Sequence, residues 1–368
     1  MRITSSGRVG LARLLVFLLL APVWIAPGGQ AADKPDILAK PSPSTTETHP
    51  VATYRVQVGL DGEIFPVFAN YASLQKPDQR QWATVSVTVE NSSDKPLHNR
   101  ITVQVPGWSD QEIQIAEMPA GAVRTYQFAP SFLPRLYHNR EITAATAVVT
   151  VTGVGGQEVY RTTAPVRLRS AQDMYWGPDF EYARFIAAWV TPHNPRVERV
   201  LSRAKEFMPA RRLPGYEEGK NQVVQEQSTL AQTKAIYRAL HDEGVSYVKS
   251  SMTFGAHQDW TERVRTPRES LAQNAANCID GVILYASLFE NLGMDPVLVL
   301  VPGHAYVGVR LSPVSQDFLY LETAYTGRAS FEAATSAAQK NLARYRPSDI
   351  ISIHIDQARQ AGIYPMPE

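Results

Sequence analysis

The sequence predicts a two-part α+β chain, an all-β sandwich followed by a domain of helices and antiparallel strands. Three observations predict it. From about residue 53 to 170 apolar residues alternate with period two. Near Ser170 the period changes to three and four, the spacing of amphipathic helices. Late in the chain strand-like runs return, as PVLVLVP (296–302), HAYVGVRL (304–311) and DFLYLETA (317–324).

The elements follow in order. Arg2, Arg8 and Arg13 precede the apolar run LLVFLLLAPVWIAPGG, and QAAD follows it. This is the layout of an export signal cut after Ala31 or Ala32, taken as residues 1–31. An uncleaved anchor fits less well, because a spanning helix needs about 20 apolar residues and this run is shorter and broken by Pro22 and Pro27. Residues 32–52 are rich in Pro, Ser and Thr, lack apolar periodicity and read as a disordered linker. Residues 53–170 carry the sandwich strands: YRVQVGL, ATVSVTVENSS, NRITVQVPG, QEIQIAEMPAG, VRTYQF, ITAATAVVTVTG and VYRTTAPVRLR, separated by turn clusters. GVGGQE (153–158) joins two such runs and opens no helix, so it reads as a hairpin turn rather than a phosphate loop. Residues 171–368 form the second domain. FEYARFIAAWV (180–190), NPRVERVLSRAKEFM (194–208) and STLAQTKAIYRALHDEG (228–244) read as helices, the last with Ser228 as N-cap and Gly244 as its stop. ARRLPGYEEGK (210–220) reads as a solvated charged loop, with a lid as the alternative, and SYVKSSMTF as a short strand. SFEAATSAAQKNLARY reads as a late helix.

Formal net charge is +1 with both signs interspersed, which excludes the clustered basic face of a nucleic-acid binder. One cysteine excludes an internal disulfide, and an unpaired thiol in an exported chain is either reactive or an intermolecular link. That cysteine, Cys278, opens CIDGVILYASLFENLG, in which Ile279, Val282, Ile283, Ala286 and Phe289 form one helical stripe and Gly293 the stop. At the first turn the positive end of the helix dipole favours a thiolate. The ordinary alternative is a small buried core residue. His304 follows a Pro-Gly break and opens a strand, a position that can hold its ring at a site. Glu322 is the one carboxylate late in an apolar strand and needs a partner or water. If the last two of these strands form a hairpin, a loop over 310–316 sets Glu322 opposite His304 and a tighter one offsets them diagonally. Cys278, His304 and Glu322 then have the types that acyl transfer needs: a sulfur nucleophile, an imidazole that moves protons, and a carboxylate that orients the ring. Asn277 reads as a helix cap, Asp280 as a first-turn acid, and Arg265 as the partner of a nearby carboxylate. His241, His257 and His354 lack metal-ligand spacing, so no metal and no cofactor are expected.

VRTPRESLAQNAANCIDGVILYASLFENLGMDPVLVLVPGHAYVGVRL resembles the transglutaminase-like, papain-like core superfamily. Pro267, Glu269 and Leu271, then Cys278, Leu292-Gly293 and Gly303-His304-Ala305, carry the resemblance, and Glu322 stands where the family usually has Asp. Cys-Ile-Asp, Pro-Gly-His-Ala, Glu-Thr and the late Asp356, Ala358, Arg359, Gly362, Ile363 and Pro365 resemble a bacterial exported branch. The resemblance covers about 228–366. VTVENSSDKPLHNRITVQVPG resembles two strands of an immunoglobulin-like or fibronectin-like module in architecture, without the Cys and Trp landmarks. Together these resemblances imply a transglutaminase-like catalytic domain C-terminal to an immunoglobulin-like sandwich. They imply an exported cysteine enzyme, periplasmic or secreted, acting on protein or peptide amide bonds through Cys278, His304 and Glu322, with hydrolysis slightly favoured over amine transfer. The Cys278 backbone N–H is the first oxyanion donor, with Trp260 or Gln258 as the second. At Glu262 the resemblance implies a Gln, and an ionised Glu could not donate there. The expected partners are a protein or peptide substrate and an envelope protein on the sandwich, with no nucleic acid and no membrane span after signal removal. The alternative is an inactive envelope binding or scaffold protein on the same fold, which Glu262 favours.

Overall fold

Alternating apolar residues fold here as two sheets sharing one interior, and the helical segments as a second interior beside it. The computed structural model describes residues 44–49, 51–80, 82–217, 221–249, 253, 255 and 257–368. The expected export signal lies outside the described residues. The first strands are β1 (Ser44–His49), β2 (Ala52–Val58), β3 (Glu63–Ile64), β4 (Val85–Asn91), β5 (Leu97–Gln104), β6 (Glu112–Met118), β7 (Val123–Phe128), β8 (Thr143–Gly153) and β9 (Glu158–Leu168). One sheet is antiparallel in the order β1-β2-β4-β7; the other runs β3-β9-β8-β5-β6, with only β3–β9 parallel. Val56, Val87 and Val89 of the first sheet and Ile101, Val103, Val149 and Val151 of the second belong to one buried apolar cluster. GVGGQE is the β8–β9 hairpin connection.

Two expectations need correction. The linker expected over 32–52 does not extend through 44–49, because β1 pairs with β2 along its whole length, from Ser44↔Gln57 to His49↔Ala52. STTETH has no apolar alternation to announce a strand, but an edge strand needs only backbone pairing and tolerates polar, β-branched residues. Within 53–170 there is also a helix, α1 (Pro66–Ser73), buried from Pro66 through Ala72. Its Phe68 lies edge-on to Phe185 at 5.0 Å, as does Tyr71, and Phe68 stacks on Trp82 at 4.5 Å. The second interior therefore does not start at 170 but takes in Phe65, Val67, Phe68 and Tyr71, and the described residues fall in one compact unit.

The rest of the chain is mixed helix and sheet, as expected for α+β. After the single turn α2 (Pro134–Tyr137) come β10 (Asp173–Tyr175), α3 (Pro195–Ala204), α4 (Gln222–Asp242), β11 (Ser246–Tyr247), β12 (Thr261–Arg263), α5 (Pro267–Gln273) and β13 (Ala275–Ala276). They are followed by α6 (Cys278–Asn291), β14 (Pro296–Val301), β15 (His304–Arg310), β16 (Phe318–Leu321), α7 (Phe331–Leu342), β17 (Ile351–His354) and α8 (Ile355–Gln360). Strands β16-β15-β14-β17 form an antiparallel sheet, and Val282, Ile283 and Phe289 of α6 share a core with Leu298 and Val307 of that sheet. The segment 180–190 is not one α-helix but 3₁₀ turns at 178–180 and 183–189, the latter almost wholly buried. Helix α4 starts earlier than expected: Asn221 is its N-cap, accepting from the Val223 N–H, and Ser228 sits buried inside the helix as an acceptor for Gln232. Residues 210–217 do not cover the Cys278 cleft. They are pinned to α4 and β15, with the Gly215 N–H donating to Gln232 and the Tyr216 hydroxyl donating to the Arg310 carbonyl. Arg359 ties α8 to the end of α6, pairing with both oxygens of Glu290 at 2.9 Å and donating to the carbonyls of Ala187, Val190 and Ile363. Among the described residues no helix is long and apolar enough to cross a membrane.

Candidate active site

Asn277 and Asp280 cap α6 reciprocally. The Asp280 N–H donates to Asn277 Oδ1 at 2.7 Å, and the Asn277 N–H donates to Asp280 Oδ2 at 3.0 Å. Arg265 adds its backbone N–H at 2.8 Å and its guanidinium at 2.7 Å to the same fully buried carboxylate. Burial raises the Asp280 pKa, and these donors oppose it. The donors reach both of its oxygens and hold the group as an anion. The box fixes the half-buried Cys278 as the first residue of the helix. A backbone N–H in that first turn has no intrahelical acceptor.

The opposite wall comes from the sheet. His304 opens β15 directly after Gly303, whose φ of 73° makes the tight turn from β14. The β15–β16 ladder runs from Arg310↔Phe318 to Val307↔Leu321, so the loop is 311–317 rather than 310–316 and Glu322, just past the strand, projects beside Tyr306, the diagonal of the two expected placements relative to His304. His304 Nε2 bonds Glu322 Oε2 at 2.7 Å, and the Ala324 N–H donates to the other oxygen, Oε1, at 3.0 Å. Glu322, only 4% exposed, is thus held from both sides. The Cys278 thiol stands close enough to the ring to shift its pKa. With Nε2 engaged by the carboxylate, Nδ1 is left for the sulfur. The Thr323 hydroxyl donates to the Cys278 carbonyl at 3.3 Å, tying the turn after Glu322 to the start of α6. Interaction with the Cys278 thiol first, and the hydrogen bond to Glu322 second, push the His304 pKa from 6.5 up to about 9. Because the folded value is the higher one, the stability this contributes is complete below about 6.5 and is lost as pH rises through about 9.

Close approach of these two walls requires Gly281. A Cβ there would stand 2.7 Å from Thr323 Oγ1 and 2.9 Å from Thr323 Cβ. Gly281→Val is expected to lower stability by about 1–3 kcal/mol through overpacking and to slow acylation of Cys278 by roughly 10²-fold, since the displaced turn carries Glu322. Urea unfolding and acylation kinetics check this. An unchanged acylation rate would mean that Thr323 yields without moving the acid.

Beside Cys278 opens a cleft of about 420 Å³, lined among others by Asn277, Glu262, Gln258, Tyr247 and Lys249. Gln258, a candidate donor, reaches this cleft. Trp260 is not among its lining residues; it is half-exposed on the adjoining turn, and its carbonyl accepts from the Trp176 N–H at 2.8 Å. The lining residues Tyr247 and Lys249 carry no mark in the sequence, because only the parallel pairing of β11 with β13 brings them beside Cys278. Burial, and after it the charge at Cys278, raises the Tyr247 hydroxyl above its ordinary range. Glu262 is pushed up to about 7, mainly by burial and then by the Asp280 charge; hydrogen bonds from Trp176 and Asn277 oppose the shift. Glu269 serves structure: it completes the capping box of α5, accepts from Gln172 at 2.7 Å and pairs with Arg140. Among the described residues no group of three or more His, Cys, Asp or Glu is arranged to hold a metal ion.

No protein-family model matches the chain, and no curated protein matches it. Among solved structures there is a match to a family 76 glycoside hydrolase from a bovine Bacteroides thetaiotaomicron strain, at 9% identity and a TM-score of 0.15. It covers 46% of this chain and 38% of that one, an overlap too poor to argue a shared fold.

Proposed function

We propose that this protein is an exported cysteine enzyme of the transglutaminase-like type, carrying an immunoglobulin-like sandwich and acting in the periplasm or outside the cell. Its reaction is acyl transfer from a protein or peptide amide. Cys278 is the nucleophile, His304 moves the proton, and Glu322 orients the ring and stabilises its charged form. The observation that carries this reading is the His304 ring bonded to a buried, doubly held carboxylate, with the Cys278 thiol close enough to the ring to shift its pKa. Water is slightly favoured over an amine as acceptor, by resemblance alone. The open cleft beside the sulfur has room for a peptide segment.

A thiol-directed acylating probe tests the reading. Wild-type protein is expected to label at neutral pH, and both Cys278→Ala and His304→Ala to lose the label. Labelling that survives in His304→Ala would mean a merely exposed thiol, and the inactive binding or scaffold protein would become the better account.

A further inference from the structure

Glu262 sits on β12, opposite Met174 of β10, and lines the cleft together with Cys278. The two neighbouring arginines are turned elsewhere. Arg263 donates to Gln172, to the Arg140 carbonyl and to Glu141. Arg265 is committed to Asp280. Lys249 and Asp259, of opposite sign, both line the cleft. From α6 the buried Asp280 faces Glu262 as a like charge. Tyr247 approaches from β11, with a hydroxyl that stays neutral. Beyond the sulfur stands the His304–Glu322 pair. The contacts to Glu262 come from donors, Asn277 Nδ2 at 3.3 Å and the Trp176 side chain. A carboxylic acid whose acceptors are used in this way has one O–H left to give.

Resting on the acyl-transfer reading above, we propose that Glu262 works as a neutral carboxylic acid and donates a hydrogen bond to the oxyanion formed at Cys278, so that ionisation of Glu262 switches the site off. In the step, the sulfur, as the thiolate beside a protonated His304, forms a bond to the acyl carbon. The carbonyl π pair moves onto oxygen, where the Glu262 O–H and the Cys278 N–H bind it. Collapse re-forms the carbonyl and expels the leaving group, which His304 protonates. Glu262 keeps its proton throughout. The ionised form cannot donate, and it adds a second negative charge beside Asp280 and the oxyanion. The raised affinity of Glu262 for its proton, to about 7, leaves the acid form available near neutral pH.

The test compares two reagents on the full chain. p-Nitrophenyl acetate acylates the thiol through a tetrahedral oxyanion, whereas iodoacetamide alkylates it at a saturated carbon without one. Wild-type acylation is expected to fall above about pH 7 while alkylation does not. In Glu262→Gln, a neutral donor at every pH, the fall is absent and the rate holds at least to about 9, where His304 loses its proton. At pH 8 this variant should acylate roughly tenfold faster than wild type, since about a tenth of Glu262 then keeps its proton. Glu262→Ala should acylate roughly 10²–10³-fold more slowly at pH 6, with its alkylation rate kept. If wild type and Glu262→Gln share one acylation profile, each still dependent on His304, this inference fails and the acyl-transfer reading stands. No acylation of the wild type, or acylation that persists in His304→Ala, overturns both.

Discussion

Glu322→Gln is expected to slow acylation of Cys278 by roughly 10³–10⁴-fold while leaving the fold intact. Glu322 does two jobs through two oxygens. Oε1 accepts the Ala324 N–H, and the Gln carbonyl can still do that. Oε2 holds His304 Nε2, and a Gln amide placed there donates instead of accepting. It would stabilise the tautomer with its proton on Nδ1, the nitrogen that must receive the thiol proton. The countercharge for imidazolium disappears in the same change. His304 should then titrate below its value of about 9, keeping the larger contribution from Cys278. Acylation kinetics and a titration of the ring by NMR check the two halves separately. A rate loss under about tenfold would show that Glu322 does not orient the ring.

Arg169→Met is expected to cost about 3–5 kcal/mol of stability, the range for removing one partner of a buried charge cluster. Arg169 is fully buried at the end of β9, with Glu63 Oε2 at 3.4 Å and Asp173 Oδ2 at 2.9 Å. Arg167 remains for Glu63, at 3.0 Å, but Asp173 loses its nearest cation. Burial already raises the Asp173 pKa against the pull of Arg169. Asp173 begins β10, and β10 pairs with β12, which carries Glu262. The damage therefore falls where the sandwich meets the wall of the cleft. Urea unfolding should show a lower midpoint at unchanged slope, and a loss under about 1 kcal/mol would mean that the cluster relaxes around a neutral side chain.

Much of this was legible in the chain because the signals are local. Period-two alternation announces β2 and β4 to β9, since each buries one face on the same interior. The stripe from Ile279 to Phe289 announces α6 for the matching reason at the helical period. Asn277 and Asp280 were readable because a capping box is local chemistry. α1 was not readable: PVFANYAS is apolar almost throughout and has no polar face to set a phase, because both of its sides are buried. β1 was missed for the opposite reason, as a polar edge strand. The hairpin register stayed open between a facing and a diagonal pair, because loop 311–317 carries no turn signal that fixes where the two strands part.

The site divides along the same line. Residue types and chain order alone determined that one cysteine, one strand-opening histidine and one strand-ending carboxylate were the groups to watch, because those choices depend on local pattern and on the scarcity of cysteine. Only the tertiary structure decided which ring nitrogen meets which acid, that Gly281 lets the walls close, and that Glu262 is pressed toward its neutral form. Hydrogen-bond partners and buried charges belong to groups brought together from distant positions, and a proton's affinity for a carboxylate depends on the water and the charges that folding removes or supplies.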